Sequence, residues 1–136
     1  MGVKEYLQQI RLLDAKINIK LAEKQAWYDM LHSMDYSKDK VQGGVAGSTV
    51  ENCVIKIEMI EKELDESIDK LVNIKREAIR MIDEGIEDSL QYQILYMRYF
   101  QFKGFGRIAK ELNYTEQWVI KQHGLALLRL KEFSKV

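Results

Sequence analysis

The sequence predicts an all-α protein, a long antiparallel helical hairpin followed by three shorter helices. Three observations carry that expectation. The 136 residues contain no proline, so no residue type that breaks a helix outright interrupts the chain. Leu, Lys, Glu, Gln, Arg and Met, all strong helix formers, are abundant. Apolar residues also recur at steps of three and four along extended stretches, which is the period of one helix face.

The first helix is expected from about Val3 to His32, with Tyr6, Ile10, Leu13, Ile17, Leu21, Tyr28 and Leu31 as its apolar stripe. The pattern lapses over about 33–48, where Gly43, Gly44 and Gly47 suggest a loop, and Ser48 or Thr49 is placed to cap the next helix. That second helix carries Cys53, Ile57, Ile60, Leu64, Ile68, Leu71, Ile74 and Ile82, and Asp83-Glu84-Gly85 ends it. At ~1.5 Å per residue each helix is about 45 to 55 Å long, and neither can bury its stripe alone. An antiparallel hairpin over residues 1–84, close to a coiled coil, is the economical solution. Lys20, Lys24 and Lys75 interrupt the stripes, but their aliphatic stems can lie along the seam with the ammonium groups in water. Two helices of this length expose more surface than two stripes consume, which leaves room for a homodimer or another partner.

Residues 87–136 read as a separate domain. Leu90, Ile94, Leu95 and Tyr99 mark a helix that enters a turn at Phe102-Lys103-Gly104. A short helix comes next, from Phe105 to Leu112, then the turn Asn113-Tyr114, then a helix from Glu116 to about Phe133. Three helices with a tight turn between the last two form a helix-turn-helix unit. Ala109 is small enough for the close crossing, and Ile108, Leu112 and Val119 supply the core between the helices. Asn113 stands where a left-handed backbone is needed, which asparagine tolerates better than most residues. Thr115 is the N-cap of the last helix.

Charge runs in the same direction. Residues 1–94 hold 13 Lys and Arg against 18 Asp and Glu, whereas residues 95–136 hold 8 against 3. A basic C-terminal part on a neutral chain points to a polyanionic partner. The single cysteine, Cys53, allows no internal disulfide, and the start of the chain has neither the apolar run of a signal peptide nor that of a membrane span. A cytoplasmic protein with no membrane contact is expected. His32, His123 and Cys53 fall on three different elements, so no metal site, no catalytic nucleophile, no cofactor and no enzymatic activity are expected.

The run LYMRYFQFKGFGRIAKELNYTEQWVIKQHGLALLRL resembles the C-terminal promoter-reading region of bacterial sigma factors. Arg98-Tyr99-Phe100, Ile108-Ala109, Leu112, Thr115, Val119, Ala126-Leu127 and Leu130 match its pattern without a gap, while Asn113 and His123 replace the usual glycine and leucine. The whole chain, from KEYLQQIRLLDAKI through the glycine loop and DKLVNIKREAI, is similar to small proteins encoded in streptococcal phages and prophages, which resemble late regulators of the ArpU and RinA type. The resemblance implies a sigma-like helix-turn-helix and a phage transcriptional regulator acting in the bacterial host cell, in contact with double-stranded DNA and with RNA polymerase as a further possible partner. It does not extend to the sigma region that melts promoters.

By helix geometry, Glu116, Gln117, Ile120, Lys121 and Gly124 are expected to face the major groove. Gln117 suits adenine, Glu116 suits cytosine, and Lys121 suits guanine or a phosphate. Lys103, Arg107, Lys110, Thr115 and Arg129 are expected at phosphates, where they would position the protein without reading sequence. Two alternatives stay open: the small subunit of a phage packaging terminase, and an interaction protein whose basic end docks a polymerase subunit.

Overall fold

The computed structural model describes residues 2–37 and 44–134, with the side chains of 2–34 and 49–134. The fold is all-α. Among the described residues there are five helices and no strand: α1 (Val3–Ser37), α2 (Gly44–Gly85), α3 (Ser89–Tyr99), α4 (Phe105–Leu112) and α5 (Glu116–Ser134). The three C-terminal helices fall within a residue or two of the expected limits. The first two run further than expected. Nothing in residues 33–37 stops a helix, and glycine inside one costs only about 1 kcal/mol, so α1 continues to Ser37 and α2 is already helical at Gly44. Ser48 and Thr49, expected as caps, therefore lie inside α2, and the remainder of the expected loop, 38–43 with Gly43, lies outside the described residues.

The chain forms two compact units, residues 14–70 and residues 1–13 together with 71–136. In the first, α1 and α2 pair antiparallel. Ile17 on α1 and Cys53, Ile57, Ile60 and Leu64 on α2 are buried, each aliphatic side chain contributing about 1.5–3 kcal/mol. Next to Ile17 the α1 seam is continued by lysines. Lys20 pairs with Glu63, Lys24 Nζ lies 3.3 Å from a Glu61 oxygen, and the Tyr28 hydroxyl donates to Glu61 at 3.3 Å. Leu21, expected in the stripe, is 46% exposed, and Ile68 is likewise exposed. Helical phase explains both: residues 17, 20 and 24 of α1, and 64, 67 and 71 of α2, keep a step of three or four along one face, and on α1 the lysine stems fill that face while their charges reach glutamates at its edge.

In the second unit the first turns of α1 bury Leu7, Ile10 and Leu13, and α2 contributes Leu71, Ala78 and Ile82. The Tyr6 hydroxyl donates to Glu77 at 2.9 Å, again an antiparallel pairing. Leu7 and Ala78 were absent from the expected stripes, though both are fully buried. The end of α2 meets the end of α5, since a Cβ on Gly85 would come within 3.0 Å of Leu130 Cδ2. The core of the C-terminal helices gathers Ile94, Ile108, Ala109 and Val119, with Met97, Phe105, Leu112 and Trp118 packed against it.

Candidate nucleic-acid interface

The α3–α4 turn is built by three backbone bonds and one arginine. Phe100 and Gln101 donate their N–H groups to the Tyr96 carbonyl, and Lys103 donates to that of Met97. Phe102 takes a left-handed conformation, φ 58°, unfavourable for an aromatic residue and imposed by the tightness of the turn. Arg98 closes it by donating to the Lys103 carbonyl at 3.3 Å and lying 4.2 Å above the Phe105 ring. Gly104 is the N-cap of α4, and its carbonyl accepts from Ile108 N.

Between α4 and α5 the chain reverses on Asn113, which is left-handed at φ 63°, ψ 42°. The N–H groups of Asn113 and Tyr114 both donate to the Ala109 carbonyl, which satisfies the end of α4. Thr115 Oγ1 accepts from Trp118 N at 3.1 Å and caps α5. Tyr114 stacks on Trp118 with ring centroids 3.9 Å apart, so that Trp118 belongs to the packing of the turn.

Helix α5 turns Val119, His123, Ala126 and Leu130 inward. Gln117, Ile120, Lys121 and Gly124 share the opposite, exposed side, as their spacing requires. A Cβ on Gly124 would meet nothing within 4 Å, so no contact inside the chain calls for glycine there. Glu116 is exposed but set apart from this group, its carboxylate leaning over α4 about 3.7 Å from where a Gly106 Cβ would stand.

The cationic candidates separate into two sets. Lys103 and Arg107 converge on Glu111, at 2.8 and 3.4 Å, and Lys103 in particular holds that carboxyl below the ordinary range. Lys110 and Thr115 are exposed nearby in sequence. Arg129 is engaged with α3. Its guanidinium donates to Gln91 Oε1 at 3.0 Å, and the Gln91 amide donates to Gln122 at 3.0 Å, which supplies partners to an amide side chain only 2% exposed.

His123, where the sigma pattern has leucine, is buried. Its Nε2 lies 2.7 Å from the Tyr99 hydroxyl, and the Phe105 ring meets it edge-on at 4.9 Å. Burial, assisted by the charges of Arg98 and Lys4, pulls its pKa from 6.5 to about 4, so the ring is neutral at pH 7. Sequence reasoning missed this pair, the Glu111 bridge and the Gln91 network. Only Glu111 had a local signal, its i, i+4 spacing from Arg107.

Among the described residues no group of three or more His, Cys, Asp or Glu is placed to hold a metal, and no helix is long and apolar enough to cross a membrane. A family model, DUF1492, described as a protein of unknown function, matches residues 30–131. No curated protein and no solved structure matches the chain.

Proposed function

We propose, for a chain that belongs to the DUF1492 family and hence to a family of unknown function, that it is a sequence-specific reader of double-stranded DNA and a transcriptional regulator of sigma-like type. One observation carries the reading. The left-handed Asn113 and the Thr115 cap set α5 after α4 with Gln117, Ile120, Lys121 and Gly124 left bare on one side, the arrangement a recognition helix requires. The excess of Lys and Arg over residues 95–136 supports it, because phosphate neutralisation supplies most of the sequence-independent affinity for DNA.

In this reading Gln117 and Lys121 contact base edges, and Lys103, Arg107 and Lys110 contact phosphates. Glu116 has a smaller part, since its carboxylate lies over α4. Arg129 holds α3 to α5 through Gln91 before it contacts anything else. The finer reading, a phage-encoded late regulator of the ArpU and RinA type acting in the host cytoplasm beside RNA polymerase, rests on the sequence resemblances alone.

The test is selection of bound duplex fragments from a genome that encodes the chain, at about 0.1 M salt. A recurrent site of promoter-like spacing supports the proposal. Retention of every fragment alike, or of none at low salt, contradicts it and favours a packaging or partner-docking protein.

A further inference from the structure

Within residues 14–70, α1 turns Ile17, Lys20, Lys24 and Tyr28 toward α2. Roughly half a turn away, at ~100° per residue, lies a second stripe, Ala15, Ile19, Ala22 and Ala26, and all four are exposed. Their steps of four, three and four are those of a coiled-coil seam. Ile19 is 67% exposed, more than any other large apolar side chain described, and its neighbours along the stripe are Ala15 and Ala22. Alanines on both sides of a crossing let two helices approach to about 8 Å, the lower end of ordinary helix packing. An isoleucine between them then fills the space.

The flanking residues say what fits. One edge of the stripe carries Lys16 and Glu23, both exposed, and the other carries Asn18 and Gln25. Asn18 and Gln25 donate along their own helix to Asp14 and Asp29, at 3.3 and 2.9 Å. Lys16 and Glu23 are seven residues apart, about 10 Å along the axis, too far to pair with each other. Set a second α1 antiparallel against the first, so that Ile19 meets Ala22 and Ala15 meets Ala26 of the other copy. Lys16 of each chain then lies beside Glu23 of the other, and the two-fold axis makes the contact twice. A parallel pairing instead sets Asn18 against Glu23 and Gln25 against Met30, and matches no opposite charges.

We infer that α1 is a self-association helix on which a second copy of this chain docks antiparallel, through Ala15, Ile19, Ala22 and Ala26, with Lys16 and Glu23 fixing direction and register. This surface is separate from α5 and does not depend on DNA binding.

The test is the oligomeric state of the full chain by sedimentation equilibrium over the micromolar range, with and without substitution. The wild type is expected to show a concentration-dependent dimer that Ile19→Glu abolishes. Lys16→Glu and Glu23→Lys should each weaken it about tenfold, by turning two attractive contacts into two repulsive ones. The double variant Lys16→Glu/Glu23→Lys should restore it to within a few fold. All these positions are exposed, so helical content should be unchanged and folding is checked in the same samples. A wild-type monomer throughout, a dimer indifferent to Ile19→Glu, or a double swap no better than the single ones would each overturn the inference.

Discussion

Asn113 and Thr115 were legible because the turn between two helices imposes local backbone demands that few side chains meet. Thr115→Ala should therefore cost about 1 kcal/mol in denaturant unfolding, the usual loss of an N-cap. Glu111 is different, since its importance comes from two cations converging on it. Glu111→Gln releases Lys103 and Arg107 for phosphate, so affinity should rise a few fold for every duplex, and the slope of log affinity against log salt should steepen. Weaker binding in competition titrations would mean that Glu111 orients the cations more than it occupies them. His123 was opaque in sequence because its partner, Tyr99, is 24 positions away. With its folded pKa near 4 and an ordinary value of 6.5, its contribution to stability is complete above about pH 6.5 and is lost as pH falls toward 4. The melting temperature should fall across that window, and His123→Leu should flatten this part of the profile. An identical slope in the variant would refute the assignment.

At the scale of elements, the helices themselves were readable, and the register of the long pair was read only in part. Period alone chose Ile10, Leu13, Ile17, Ile57, Ile60 and Leu64 correctly. It chose Leu21 over Lys20 because hydropathy ranks leucine first, whereas the seam follows helical phase and accepts a lysine whose charge finds Glu63. The two readings differ measurably. Ile17→Ala should cost about 2–4 kcal/mol, as truncation at a buried position does, while Leu21→Ala should stay within about 0.5 kcal/mol. Comparable losses at both positions, by chemical denaturation, would place Leu21 in the seam. Ala78 escaped notice for the opposite reason: a small residue carries little hydropathic signal even where it is fully buried.

On the scale of the molecule, the basic C-terminal helices share a compact unit with the first turns of α1 and the last part of α2. A fragment of residues 87–136 would lack Leu7, Ile10, Ala78 and Ile82, all buried in that unit. The full chain is accordingly the right material for binding work. The central claim is that α5 reads sequence while α4 and its preceding turn hold phosphate, and a quantitative comparison of base preference and salt slope for wild type, Gln117→Ala and Arg107→Ala on a selected site tests it most directly. The account predicts that Gln117→Ala relaxes preference at one or two base pairs, costing about 1–3 kcal/mol against the preferred site. Arg107→Ala should weaken all sequences alike and lower the salt slope by about one. The same uniform loss from both substitutions, with base preference unchanged, would contradict it.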